Sequence, residues 1–516
     1  MTRTVVRDCS PAKDEDGLAA LLPALTVAAL VMGAAHRLLS GFDAPLWFDE
    51  TYSAEIASQH ELRALLLWCL NDVAGPIYYV LLFLWEKIAG NGDLALRLPS
   101  LLFAFAAPLL ILWKGHPDRR VRMIWAAAVA LSPVCARYAS EARPYALLTL
   151  LACGQAVAYL RLLQRPGRPA ALTWTAISAS MVLTHYHAAL ICGIQGLLYL
   201  AIHRRRAVET WPALVGLIPL LIWIPLHLPT LSAFSQPDVV WYSTLTPDAL
   251  WLVPALLAGL AVPGLALLAA MGCTLARDLI RTARRQAPWP YTVEETALAG
   301  SGALAFALLL GAGFLWPCFV PRYALSFIPA ILGGVAFWAN RTMRDLPIAG
   351  PATIILMMAA SANQIAAQWT SPRADYRYAY NLEEASAWIG DQGARRLVYL
   401  WDSPVAAVAD PIGNALDWRA TQSGRTAAIG SFFLRRDGRD IPTVAVDLPP
   451  IDEDPNLALL RAAGNAPNTA LLWSYDVTIP RTRGAIYPWR IAQIDRRWTC
   501  RDFGSGPVTI LACIRR

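Results

Sequence analysis

From Gly17 to Ala366 long apolar runs alternate with short polar connectors, and the length of the runs decides what they become. As helices, most are long enough to cross a hydrocarbon core about 30 Å thick. The pattern predicts spans near residues 17–36, 94–113, 122–139, 143–160, 170–184, 187–202, 211–229, 248–272, 296–315, 322–340 and 347–366, about eleven in all. The run from Pro76 to Trp85 stands apart. It reaches Gly90 in about fifteen residues, short of a crossing, and counting it as one would reverse the side of everything downstream. Residues 55–92 therefore read as an outer loop folded back onto the membrane. Within it Leu62, Leu65, Leu66 and Cys69 recur at helical spacing and predict an amphipathic interfacial helix. The alternative is one extra crossing balanced by a missed one elsewhere.

Past residue 366 the pattern shifts to short β-type runs: Arg396–Leu400, Thr443–Val446, Thr469–Trp473 and Val508–Ala512. Helical patterns near Glu383–Gly390 and Asn456–Ala463 alternate with them, which predicts a small α/β domain. The expected organisation is a transmembrane module over 1–366, with interfacial helices in its first outer loop (about 41–92), and a soluble domain over 367–516.

Composition agrees with the runs. The 516 residues are 56% hydrophobic with 20 Trp, and only 16% are charged, against about a quarter in an ordinary soluble domain. The chain reads as a polytopic α-helical membrane protein. Its net charge of +7 comes from 44 basic residues, almost all Arg, which within the apolar part cluster in five connectors: Lys114–Arg122, Arg161–Arg168, His203–Arg206, Arg277–Arg285 and Arg341–Arg344. Basic connectors mark the cytoplasmic side of a bacterial inner or plasma membrane. They exclude a nucleic-acid surface, since no aromatic-basic signature accompanies them. By parity the N-terminus is cytoplasmic, and both Asp49 and the 367–516 domain lie in a periplasm or its equivalent. Residues 1–16 do not read as a signal peptide. Cys500 and Cys513 flank a hairpin expected around Gly504–Gly506, where a disulfide suits an oxidising compartment; two unpaired thiols are the alternative. The other seven cysteines lack metal-ligand spacing and read as small apolar residues.

Candidate chemistry gathers on the predicted outer face. Asp49 and Glu50 sit among aromatics just past the first span, a costly depth for acids without a task. Ser140-Glu141-Ala142-Arg143-Pro144-Tyr145 turns between the third and fourth spans, His185-Tyr186-His187 between the fifth and sixth, and Pro321-Arg322-Tyr323 opens the tenth. Singly each has a plain structural reading: snorkelling arginines, aromatic-belt tyrosines, hydrogen-bonded histidines whose spacing does not suit a helical metal pair. Together they combine a carboxylate able to activate a hydroxyl with guanidinium forks that match phosphate oxygens. No Walker loop or dinucleotide fingerprint suggests a nucleotide donor.

The order Trp47-Phe48-Asp49-Glu50, Gly75-Pro76-Ile77-Tyr78-Tyr79, Leu96-Arg97-Leu98-Pro99-Ser100, Glu141-Ala142-Arg143-Pro144-Tyr145, His185-Tyr186 and Pro321-Arg322-Tyr323 resembles the GT-C membrane glycosyltransferases. The branch most alike holds the dolichyl-phosphate-mannose protein mannosyltransferases and the bacterial aminoarabinose transferases of lipid A, and the resemblance covers roughly residues 17–345. It implies a polyprenyl-phosphate-linked sugar as donor and a lipid, protein or glycan hydroxyl as acceptor. Asp49 then matches the catalytic aspartate, Glu50 a supporting acid, and Glu141 an acid of the second outer loop. Arg143 and Tyr145 match an arginine-tyrosine pair, Arg322 a grip on the lipid phosphate, with His185 and Tyr323 beside the substrate. A divalent cation, Mg²⁺ or Mn²⁺, held by Asp49, Glu50 and Glu141 is left open. Ala74 and Gly75 stand where many members have His and Pro, so a histidine ligand there is missing. The expectation is a transferase, with inversion at the anomeric carbon. The competing readings are a polyprenyl-linked sugar flippase, which calls for charges along a path and paired halves, and a non-catalytic scaffold presenting the outer domain.

Overall fold

The computed structural model describes residues 20–236, 239–240, 242–370, 374–408, 421–476, 479, 482–504 and 508–515. A helical bundle is followed by a five-stranded sheet. The longer helices of the bundle are α1 (Leu22–Leu39), α2 (Phe48–Ala57), α3 (Leu62–Leu70), α4 (Pro76–Ala89), α5 (Asp93–Lys114), α6 (Arg119–Leu131), α7 (Tyr145–Gln164), α8 (Arg168–Val182), α9 (Ala188–His203), α10 (Ile218–Phe234), α11 (Ala261–Ala283), α12 (Val293–Leu315), α13 (Ile328–Thr342) and α14 (Ala349–Thr370). Six segments of the described residues are long and apolar enough to cross a membrane: α1, α5, α7, the run Trp211–Phe234 that contains α10, α11 and α12. Of the remaining expected spans, 347–366 is the 22-residue α14, and the others correspond to shorter or interrupted helices.

Proline and glycine explain the interruptions. The span expected at 122–139 stops at Leu131, because Pro133 starts a new short helix and has no N–H to continue the old one. The span expected at 248–272 is two helices. Leu252–Ala258 ends on Gly259 in the left-handed conformation (φ +84°), and α11 begins at Ala261. The two then pack so closely that a Cβ on Gly264 would lie 2.0 Å from the carbonyl oxygen of Pro254. Arg277 and Arg281, read as connector residues, are therefore part of α11. As predicted, α4 is short of a crossing at 14 residues, and α3 forms over the Leu62–Cys69 pattern, with Leu65 and Cys69 buried but Leu62 exposed.

The bundle core centres on α6, whose Trp125 is fully buried and donates to the carbonyl of Pro329 (2.9 Å). The last carbonyls of α6 are satisfied from α1. Arg37, fully buried, donates to Val129 O (3.2 Å) and Ala130 O (2.5 Å), a cation placed at a helix C-terminus. A buried amide network ties α7, α8, α9 and α12: Gln155 donates to Gln195 Oε1 (2.5 Å), Trp174 donates to the same oxygen (3.1 Å), and Gln195 donates to Ser301 (3.2 Å).

Beyond α14, α15 (Ala374–Asp391) leads into the sheet β1 (Arg396–Asp402), β2 (Thr443–Ala445), β3 (Thr469–Asp476), β4 (Trp498–Phe503) and β5 (Val508–Arg515). The strand order is β2-β1-β3-β5-β4; β2, β1 and β3 run parallel, while β5 pairs antiparallel with both β3 and β4. The four β-type runs of the sequence are four of these strands. The fifth, β4, is a mostly exposed edge bearing Arg501 and Asp502, and charge on an edge hides the strand signal while protecting it from pairing. Cys500 and Cys513 lie opposite each other on β4 and β5 and form a disulfide; part of the expected turn, residues 505–507, lies outside the described residues. One face of the sheet shares a continuous core with α2, α3 and α4: Leu397, Tyr399 and Ile510 pack in one cluster with Ala54, Ile56, Leu65 and Leu82. The other face has its own core around Trp473, Leu459 and Ile491.

Candidate functional site

The N-terminus of α2 carries both acids, and the helix gives them opposite surroundings. Glu50, the third residue of α2, reaches back to accept the backbone N–H of Trp47 (3.1 Å), half of a capping arrangement. The same carboxylate accepts Arg97 through Nε (2.8 Å) and Nη2 (2.5 Å), and the N–H of Ala142 (2.7 Å). Arg97 also donates to the carbonyls of Phe42 (3.1 Å), Ala44 and Pro45 (3.0 Å). Both side chains have zero exposure. Glu50 is thus a saturated clamp joining α2, α5 and the 138–144 turn.

Asp49, one residue earlier, remains open, with 27% of its side chain exposed. Arg143 Nη2 lies 4.0 Å and Arg322 Nη1 3.9 Å from its Oδ2. Arg143 comes from the turn before α7, and Arg322 from a single 3₁₀ stretch, Pro321–Ser326, before α13. Arg143 is further held by Nη1 donating to Asp49 O (3.2 Å), Ser53 Oγ (3.4 Å) and Tyr79 OH (2.9 Å). Its buried Nε–H has no hydrogen-bond partner among the described residues. The Arg322 guanidinium lies 5.7 Å from the Tyr145 ring and 5.9 Å from the Tyr323 ring. Tyr323 stacks on His187 (4.0 Å between centroids) and lies 5.1 Å from His185. Burial, and then the charges of His187, Arg322 and Arg143, hold the His185 imidazole well below the ordinary histidine range, so it stays neutral; its buried Nδ1 has no hydrogen-bond partner among the described residues.

Asp49, Arg143, Tyr145, His185, Arg322 and Tyr323 are therefore contiguous, whereas Glu50 points away into its clamp. Glu141 is fully buried in the same turn, where its charge acts on Tyr78, Arg97 and Tyr145. A divalent cation finds no ligand set: no three of His, Cys, Asp or Glu converge among the described residues, Glu50 has given its lone pairs to N–H donors, and Asp49 faces two guanidinium groups. The residues do not fit a cation.

Four contributors were given no role in the sequence reading. Tyr79 receives the Arg143 N–H and donates to Asp72. The backbone carbonyl of Asp72 accepts from His227 Nε2 (2.7 Å) on α10, which makes Nε2–H the tautomer and leaves Nδ1 to accept from Tyr186 OH. Arg97 is the fourth. A guanidinium inside an apolar helix was the available signal for it, and Tyr79 and Asp72 stood inside or beside the Gly75-to-Tyr79 motif. Gly75 is needed for this packing, because a Cβ there would meet the Leu183 carbonyl at 1.8 Å. The sheet domain backs the site. Trp401 lies 4.6 Å from Phe48 and 6.3 Å from Tyr52 between ring centroids, and Arg435 pairs with Glu55 at the far end of α2.

An apolar helical bundle, a loop of short helices bearing an aspartate between two arginines, and a mixed sheet docked on that loop make up a multi-pass membrane protein. The structure is similar over nearly its whole length to crystal structures of ArnT from Cupriavidus metallidurans. Against the apo state the TM-score is 0.54 at 12% identity, covering 97% of this chain and 98% of that one. Against the form bound to undecaprenyl phosphate it is 0.51 at 12% identity, covering 96% and 98%. No family model matches the sequence, and no curated protein is similar to it in sequence. At this identity the likeness is one of fold.

Proposed function

We propose that this protein is an integral-membrane glycosyltransferase that moves a sugar from a polyprenyl-phosphate donor to an acceptor hydroxyl. The observation that carries the reading is the half-open Asp49 carboxylate flanked by Arg143 and Arg322 from two other parts of the chain. A similar fold in complex with undecaprenyl phosphate supports the donor class.

In the reaction the acceptor oxygen attacks the anomeric carbon and its proton passes to Asp49. The bond from that carbon to the phosphate oxygen breaks, and the electron pair leaves with the polyprenyl phosphate. Attack from the face opposite the phosphate inverts the anomeric centre. Proton acceptance by a positioned carboxylate contributes about 10²–10⁴ in rate. Arg143 and Arg322 stabilise the departing phosphate, and removing one such charge costs about 10²–10³ in turnover. Tyr145, Tyr323 and neutral His185 line the arginines and exclude water. Glu50 and Glu141 keep the helix and turn in place.

The module over 1–366 holds this chemistry, and 367–516 forms a domain on the extracytoplasmic side of the inner or plasma membrane, with the N-terminus cytoplasmic. The basic connectors and the Cys500–Cys513 disulfide, which persists in an oxidising compartment, support that orientation.

The test is transfer of radiolabelled sugar from undecaprenyl-phosphate donors by the full chain in nanodiscs, with Asp49→Asn as the variant. Turnover should fall by about 10²–10⁴; a folded D49N protein transferring at the wild-type rate would sink the proposal.

A further inference from the structure

Asp49 meets its two arginines in an unusual way. Both nitrogen–oxygen separations, 4.0 and 3.9 Å, are ion-pair distances beyond hydrogen-bond reach. The attraction is one of charge, without directed bonds. Arg143, only 6% exposed, meanwhile spends its Nη1 on Asp49 O, Ser53 and Tyr79 and leaves its Nε–H without a hydrogen-bond partner among the described residues. The unspent edge of its fork, Nε with Nη2, is the edge that binds two oxygens of one tetrahedral anion side by side. A buried guanidinium held from one side and open on the other is suited to take an anion on the open side. A carboxylate at ordinary hydrogen-bonding distance would have filled that edge; Asp49 stands just outside it.

We infer that Asp49 is the internal counter-ion of an anion site formed by Arg143 and Arg322, and that a lipid phosphate binds by displacing it. This rests on the transferase reading above and adds an order to it. In the empty site the carboxylate neutralises part of the charge of two guanidinium groups. When the phosphate takes their N–H donors, Asp49 loses both partners and turns its oxygens to the acceptor hydroxyl. The base is thereby withheld until the donor is seated, so donor binds before acceptor and water is a poorer acceptor in the empty site. The geometry of the backbone permits the exchange. Arg143 stays anchored to the Asp49 carbonyl and to Tyr79 while only the side chain of Asp49 swings.

The consequence runs against the usual expectation for a catalytic residue: removing Asp49 tightens lipid-phosphate binding. The experiment is binding of undecaprenyl phosphate to the full chain in nanodiscs, for wild type, Asp49→Asn, Asp49→Ala, and Arg143→Gln with Arg322→Gln, each first checked for wild-type thermal unfolding. Both Asp49 variants should bind at least about tenfold more tightly than wild type, a factor worth about 1.4 kcal/mol, while the double arginine variant binds at least about tenfold more weakly. Two Asp49 variants guard against one failing to fold, and Asn keeps the shape of the side chain. If the arginine variant binds as wild type does, the lipid-phosphate site itself is wrong and the transferase reading falls with it. If the arginines matter but both Asp49 variants bind no more tightly than wild type, displacement is wrong and the transferase reading stands.

Discussion

Replacing Arg97 by Met separates architecture from chemistry in this site. Arg97 and Glu50 are both at zero exposure, and five further groups depend on the pair: the carbonyls of Phe42, Ala44 and Pro45 and the N–H groups of Trp47 and Ala142. Removing one partner of a buried pair leaves an uncompensated charge, at a cost of about 3–5 kcal/mol. Each carbonyl stripped of its donor adds about 1 kcal/mol or more where water cannot reach it. Adjacent losses do not simply add, so R97M should lose about 4–6 kcal/mol. Lysine keeps the charge but not the fork, and R97K should lose about half of that. Glu50→Gln keeps an acceptor for Ala142 yet turns an amide NH₂ toward Arg97 or the Trp47 N–H, a loss of about 2–4 kcal/mol. The assay is denaturant unfolding of the full chain in nanodiscs, with undecaprenyl phosphate binding measured on the folded fraction. If R97M unfolds within about 1 kcal/mol of wild type, the clamp carries no such weight. If E50Q folds like wild type and has lost only turnover, Glu50 belongs to the chemistry after all.

His185 is held below the ordinary histidine value of 6.5; the unfolded chain therefore takes up its proton first as pH falls, stability present above that value is lost below it by up to about 1.4 kcal/mol per pH unit, and a pH series of thermal unfolding should show a shallower fall in His185→Gln. Gln195→Leu removes the hub that joins Gln155, Trp174 and Ser301 and should lower bundle stability by about 1–2 kcal/mol, with unchanged stability refuting the network's role. Cys500 and Cys513 close a loop with a sequence separation of 13, so the double Ser variant should destabilise the sheet domain by about 2–3 kcal/mol, and insensitivity of wild-type unfolding to dithiothreitol would contradict it.

Much of the helical layout was legible locally. The 14-residue α4, the helix over Leu62–Cys69 and four of five strands follow from run length and period, because burial on one face of a helix or strand repeats at 3.6 or 2 residues. The fifth strand was hidden, since only its two ends, Trp498 and Phe503, are buried and no alternating face is written into the sequence between them. The span at 248–272 was misjudged because hydropathy averages over Gly259, and a single left-handed residue ends a helix without changing the average.

By itself the chain determined its class. Apolar length and arginine-bearing connectors require a helical membrane protein, and a handful of acids and aromatics at run ends mark where a site is to be sought. The parting of Asp49 from Glu50 was decided only in three dimensions. Adjacent residues on a helix point about 100° apart, and what each meets depends on chain brought from elsewhere: Arg97 and the Ala142 N–H on one side, Arg143 and Arg322 on the other. Asp49 and Arg143 are 94 residues apart. Charge interaction depends on distance through space and on burial, and no periodicity along the chain encodes either. Two neighbouring acids thus became one clamp and one open carboxylate.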